Sequence, residues 1–155
     1  MTDYFSQNIL KMGTWARACD SCVLSYEDRF LRRKVLNTVT GATLLVDLVH
    51  TTSLEHGEAF EVVDGQVIEV IAAPEPLLQV KGHLVQLAWH IGNRHTPCQI
   101  DGDRLLIQND PVIGHMLEHL GAEVTMIRAP FTPEGGAYGH GRTHAHEHGA
   151  TAHDH

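Results

Sequence analysis

Leu77-Leu78-Gln79-Val80-Lys81-Gly82-His83-Leu84-Val85-Gln86-Leu87-Ala88-Trp89-His90-Ile91-Gly92 decides the fold, because the hydrophobic period changes inside it. Residues 77–80 are a short run of strand formers that stops at Gly82. Leu84, Leu87, Ala88 and Ile91 then recur at i, i+3, i+4 and i+7, one face of a helix, and Gly92 stands where a C-terminal cap is expected. Downstream, two short strands at 98–100 and 105–107 flank Asp101-Gly102. Asp110 is a good helix N-cap, and Pro111 suits the first helical position, where its missing N–H does no harm. Ile113, Met116, Leu117 and Leu120 carry a second helical face to Gly121, residues 123–127 read as a closing strand, and Pro130 and Pro133 end it. The order is β-α-β-β-α-β, the split βαβ or ferredoxin-like arrangement.

Upstream of this stretch, residues 22–72 are short-period and β-like. Residues 34–39 and 43–46 are strands separated by a tight turn at Thr40-Gly41, and residues 23–26 read as a further strand. Val62-Val63-Asp64-Gly65-Gln66-Val67-Ile68 predicts a hairpin in which Asp64-Gly65 supplies the positive φ angles of a two-residue turn. The basic run 29–34 is read as a solvated strand or loop face. Ala73-Pro74-Glu75-Pro76 is read as a stiff linker, since two prolines two apart do not suit a sheet interior. The expectation is an α+β chain: a small all-β domain over 1–73, a ferredoxin-like domain over 74–133, and a flexible His-rich tail over 134–155, too poor in apolar residues to repay the entropy of ordering.

Composition narrows the function classes. The chain has 155 residues, with 11 Lys and Arg against 19 Asp and Glu, a net charge of −8. Such a balance argues against a nucleic-acid or anionic-membrane surface, which needs clustered basic residues. No apolar run approaches the roughly 18 residues of a spanning helix, and Met1-Thr2-Asp3-Tyr4 does not open a signal peptide, so a cytoplasmic protein is expected. There is no G-x-S-x-G, phosphate-binding loop or dinucleotide fingerprint, and Cys98 has no evident base partner, so no enzyme is expected. Cys19-Asp20-Ser21-Cys22 is a lone C-x-x-C with no second pair, read as reduced thiols near the start of a strand.

The chemistry lies in the 13 histidines, which outnumber Lys and Arg together. His140, His144, His146, His148, His153 and His155 fall in the last 16 residues, interrupted by other residues in a way that a purification tag is not. Neutral imidazoles are good ligands for borderline transition metals, and spacings such as His144-Ala145-His146-Glu147-His148 put alternate rings on one side of an extended chain. Imidazole suits Ni²⁺, Zn²⁺ and Cu²⁺ alike, so the pattern selects metal binding and not the ion. His95 follows the first helix in His90-Ile91-Gly92-Asn93-Arg94-His95-Thr96-Pro97, where Gly92-Asn93 is expected to take left-handed conformations and turn His95 to the surface. A lone surface histidine does not complete a metal site, but a residue near a two-fold axis meets its own copy and becomes a pair. His115 and His119 are i, i+4 on the second helix, without the order of an H-E-x-x-H motif, and are read as a solvated helix face; His50, His56 and His83 offer no spacing argument.

Together these features resemble the UreE family of urease accessory nickel chaperones. The most specific piece is residues 90–97, similar to the family's H-x-G-N-R-H-x-P. Asp64-Gly65 before an apolar strand, the linker and strand at 73–80, Glu134-Gly135-Gly136-Ala137-Tyr138 and the His-rich end support it. The resemblance implies a head-to-head homodimer whose N-terminal β domain engages partners and whose ferredoxin-like domain binds metal. It carries the interface nickel ligand onto His95, with tail histidines as auxiliary ligands. It implies as partners the urease accessory GTPase and the urease apoprotein complex, with neither nucleic acid nor membrane. A metal storage or buffering protein using only the tail is the alternative. The chain departs from the pattern at Asn109-Asp110-Pro111, where some relatives carry further histidines, and at His50-Thr51-Thr52, where a basic Pro-Arg-Gly turn is common.

Overall fold

The computed structural model describes residues 2–135, and the tail histidines His140, His144, His146, His148, His153 and His155 lie outside them. The chain divides into two compact units, Met1–Ala73 and Pro74–His155. The described residues are mostly β, with two sheets and two helices, an α+β composition.

The first unit holds β1 (Tyr4–Leu10), β2 (Asp20–Leu24), β3 (Phe30–Asn37), β4 (Thr43–Ser53), β5 (Ala59–Val62) and β6 (Val67–Ala72) in one sheet of order β2-β6-β5-β1-β4-β3. Period-2 alternation buries Leu44, Val46 and Leu48 from β4 and Ile68, Val70 and Ala72 from β6. The sheet curls, so its two edge strands approach at one end. Val39 N–H donates to Ser21 C=O at 2.8 Å, and Thr40 Oγ1 donates to the Asp20 carboxylate at 2.6 Å. Leu24, Leu36, Leu54, Phe60 and Val62 fill the core between.

Several details differ from the sequence-based expectation. β1 begins well before the apolar pattern and occupies a central position, parallel to β4 and antiparallel to β5. Its polar Ser6 is fully buried at a bulge, where Oγ donates to Glu61 C=O at 2.8 Å. Strand β2 ends at Leu24, so Ser25 and Tyr26 belong to the following turn. In the β5–β6 hairpin only Gly65 takes a positive φ, 91°; Val62 N–H reaches Gln66 C=O and Gly65 N–H reaches Val62 C=O. The turn is therefore a three-residue loop with glycine at the bulge, not a two-residue primed turn.

The basic run is solvated only from Arg32 onward, where Arg32 and Arg33 meet Asp47 and Lys34 meets Asp28. Arg29 is 2% exposed. Its Nε donates to Leu54 C=O and its Nη1 to Leu24 C=O, both at 3.1 Å, and its guanidinium lies over the Tyr26 ring. It ties the chain after β4 to the end of β2, a structural role in place of the solvated one expected.

The second unit holds β7 (Pro74–Lys81), α1 (Leu84–Asn93), β8 (Gln99–Asp101), β9 (Arg104–Gln108), α2 (Pro111–His119) and β10 (Glu123–Pro130). Its sheet has the order β10-β7-β9-β8 with every adjacent pair antiparallel. Each helical crossover thus skips a strand: β9 lies between β7 and β8, and β7 lies between β9 and β10. Leu87 and Ile91 of α1 and Ile113 and Leu117 of α2 pack with Leu78, Val80, Leu105 and Ile107. Asp110 caps α2 as expected, its Oδ1 accepting from Val112 and Ile113 N–H.

Pro74-Glu75-Pro76 is not a linker but the start of β7, paired from Pro74↔Pro130 to Pro76↔Arg128. The prolines are tolerated because β9 covers the other side of β7 only from Leu77 onward. Residues two apart point their nitrogens to the same side, so both missing N–H groups fall on that open edge.

Replacing Arg29 with Met should destabilise the first unit by about 3 kcal/mol, since two buried carbonyls lose charged donors. Trp15, whose Nε1 donates to Gly57 C=O, reports this unit, and Trp89 belongs to the other. Urea unfolding followed by fluorescence in a Trp89→Phe background is expected to show the midpoint fall for Arg29→Met; an unchanged midpoint would remove the tie.

Candidate metal centre

The apolar stripe of α1 ends at Ile91, which is fully buried and anchors the last turn. Its carbonyl then accepts from Arg94 N–H at 3.1 Å and Thr96 N–H at 3.3 Å, while Gly92 C=O accepts from His95 N–H at 2.9 Å. Bonds from Thr96 back to Ile91 and from His95 back to Gly92 make a Schellman motif, with Arg94 as C-cap and His95 just beyond it. His95 has φ 57° and is the sole non-glycine residue of positive φ among the described residues.

The sequence placed that left-handed turn at Gly92-Asn93, but both are helical, and the position that motif usually gives to glycine is occupied by His95 itself. The helix runs on because its last carbonyls are satisfied only when the chain closes back on Ile91. Pro97, two residues after His95, was the available signal, since proline is common shortly after a C-cap. The end of α2 supplies the comparison. There Gly121 N–H bonds to Glu118 C=O and Ala122 N–H to Leu117 C=O, both at 3.0 Å, with Gly121 at φ 89°. One motif closes both helices; one carries glycine, the other an imidazole.

Asn93, Arg94 and His95 are all exposed. Arg94 Nε lies 2.9 Å from Met116 Sδ, which ties the end of α1 to the middle of α2. The other histidines divide by role. His56 Nδ1 accepts from Ala72 N–H at 3.1 Å and is engaged with the backbone of the first unit. His90 meets Trp89 edge to face. His115 and His119 stand exposed on α2.

Two of the three thiols, Cys22 and Cys98, are poor ligands as folded. Cys22 is fully buried inside β2 while Cys19 is exposed before it, and all three cysteines are free. Burial, reinforced by Asp20, pushes the Cys22 thiol up to about 11. Burial, reinforced by Glu134, does the same to Cys98. Both stay protonated at neutral pH, whereas metals bind thiolate.

Among the described residues no three His, Cys, Asp or Glu side chains come together as a set able to hold a metal. His95 stands exposed on a rigid backbone base. No helix of the described residues is long and apolar enough to cross a membrane.

Comparison with known proteins agrees across nearly the whole chain. The family model described as UreE urease accessory protein, N-terminal domain, matches residues 6–73, and the corresponding C-terminal domain model matches residues 66–155. A urease accessory protein UreE from Ruegeria pomeroyi is 62% identical over 143 residues, covering 92% of this chain and 96% of its own. Those of Rhodobacter capsulatus and Cereibacter sphaeroides are 54% and 53% identical, each over 93% of this chain and over 92% and 80% of their own.

A left-handed conformation costs a side-chain-bearing residue roughly 1–2 kcal/mol, part of which glycine returns through its freer unfolded chain. His95→Gly is accordingly expected to raise the stability of the second unit by about 1 kcal/mol, and His95→Val, β-branched at positive φ, to lower it. Chemical denaturation read at Trp89 checks both; a destabilised glycine variant would mean that the imidazole holds the helix end together.

Proposed function

The chain belongs to the UreE family of urease accessory proteins, and from that premise we propose that it is a nickel carrier that delivers Ni²⁺ to the urease active site by exchange of imidazole ligands. Membership gives a role in urease maturation and an accessory protein rather than an enzyme. The observation that carries the finer reading is His95, an exposed imidazole fixed in a left-handed turn at the end of α1 within His90-Ile91-Gly92-Asn93-Arg94-His95-Thr96-Pro97. Strained, exposed and polar, it stands where a buried apolar residue has no reason to be.

In this reading the chain works as a cytoplasmic homodimer in which His95 of each copy meets near the two-fold axis. One sequence position then supplies two ligands. Residues 74–133 form the metal-binding and dimerisation domain, and its sheet order, with each crossover skipping a strand, supports the ferredoxin-like assignment. Residues 1–73 engage partners, the urease accessory GTPase and the urease apoprotein complex. His140, His144, His146, His148, His153 and His155 are auxiliary ligands, with Ni²⁺ as cargo and Zn²⁺ or Cu²⁺ as competitors for the same donors. Transfer needs ligands that hold the ion against dilution yet yield to an incoming donor. Exposed imidazoles meet that requirement.

Two measurements test this. Nickel calorimetry with sedimentation should show that His95→Ala removes the highest-affinity site from a dimer that stays assembled, while His144→Ala, one of six redundant tail histidines, changes little. Equal small losses would favour a tail-only storage or buffering protein, and loss of assembly would make His95 structural. Imidazole binds metal only when neutral, and histidine ordinarily takes up a proton near about pH 6.5, so nickel affinity should fall steeply below about pH 6. Equal affinity at about pH 5 and about pH 7.5 would mean that carboxylates carry the site.

A further inference from the structure

One pair of metal-ligating side chains on α2 is left over by the reading above. His115 and His119 lie on the helix face away from Ile113 and Leu117, which pack into the core, and both are exposed. Their ring centroids are 5.4 Å apart with the planes at 74°. An ion bound at about 2.1 Å by one nitrogen of each ring sits about 3.2 Å from each centroid. A tetrahedral angle at that ion then separates the centroids by about 5.2 Å, and a right angle by about 4.5 Å. The ring spacing as folded is close to the tetrahedral separation, so a rotation about the side-chain bonds suffices to converge the two nitrogens.

The neighbouring carboxylate fits the same arrangement. Glu118 Oε1 lies 3.9 Å from His115 Nδ1, beyond hydrogen-bonding distance but within reach of a small side-chain rotation. Accepting the Nδ1 proton would leave Nε2 as the free donor, the usual carboxylate–histidine–metal arrangement. Two histidines one turn apart on a helix are a sufficient chelate for a borderline divalent ion. Neither member comes from the tail, and neither belongs to the motif around His95.

We propose that His115 and His119 form a second, bidentate site for a divalent late transition metal ion on α2, with Glu118 as the positioning residue for His115. Only two protein ligands hold the ion, so its remaining positions are open to water or to an incoming donor. Such a site loads and unloads readily. It lies on the helix that Arg94, the residue before His95, contacts through Met116, which places an exchangeable stop on the same unit as the carrier histidine.

The test titrates the full-length chain with Zn²⁺, a diamagnetic probe, and follows the imidazole nitrogens by long-range ¹H–¹⁵N NMR. The rings of His115 and His119 are expected to shift on one common curve. In His115→Gln the midpoint for His119 should move to higher Zn²⁺ by about tenfold or more, and His119→Gln should do the same to His115, because each ring supplies the other's effective concentration. Both curves should persist in His95→Ala, whether or not that variant loses its own nickel site. Glu118→Gln should move neutral His115 away from the Nδ1–H tautomer in the same spectra; an unchanged tautomer removes Glu118 from the site. Independent curves for the two rings, an unmoved midpoint in either single variant, or no shift by the Zn²⁺ level that saturates the tail histidines would overturn the chelate. Loss of the shift in His95→Ala would make the pair part of the His95 site and also defeat it.

Discussion

The hydrogen bonds that close α1 back onto the Ile91 carbonyl are the constraint on which the functional end of the second unit depends. Ile91 is pinned from one side by its buried side chain and supplies from the other the acceptor for Arg94 and Thr96 N–H. A residue fixed in the core thus sets the path of the chain four residues later. His95 inherits its position from that core and not from a loop free to wander, although its own side chain is exposed. Precise placement and open access normally conflict. Here they are separated, with the precision in the backbone and the access in the side chain.

The two helix ends show what that placement costs. At Gly121 the motif uses the residue that adopts positive φ without penalty, and at His95 it does not. The same two closing bonds, from the residue of positive φ and from the one after it, form at both ends, so the contrast lies in which residue takes the left-handed turn. A strained conformation kept at an exposed position is a signature of a functional demand on the residue, in the direction that runs from an observed outlier to a role. The rest of the unit compensates through ordinary packing of Leu87, Ile91, Ile113 and Leu117 on the sheet.

Elements governed by local chemistry were legible in the sequence. The period change at residues 77–92, the Asp110-Pro111 cap and the Asp101-Gly102 turn predicted β-α-β-β-α-β, and the observed elements follow that order. What was not legible depended on neighbours distant in sequence. Pro74 and Pro76 read as a linker because the sequence does not show that β9 starts to cover β7 only at Leu77. Arg29 read as solvated because its acceptors, the carbonyls of Leu24 and Leu54, are brought together only by the finished sheet. β1 was missed because its central place is made by a buried Ser6 at a bulge and not by alternating apolar residues. At the site, the motif around His95 was visible, but the helix end was placed two to three residues early. Glycine advertises a left-handed turn far more strongly than histidine does.

A carrier that exchanges its metal, as proposed for this chain, rests on incompleteness more than on affinity. A closed site of four protein ligands holds its ion against every competitor, which suits a structural metal and defeats a carrier. Among the described residues no three His, Cys, Asp or Glu side chains form a set able to hold a metal. In the proposed reading the exposed imidazoles would supply one donor at His95 and two at His115 and His119, and the remaining positions would belong to whatever molecule approaches next. Cys98, three residues from His95, is half-buried, and that burial pushes its thiol up to about 11. The packing that stabilises the second unit thus also disfavours the thiolate nearest in sequence to His95, the form in which a thiol binds metal.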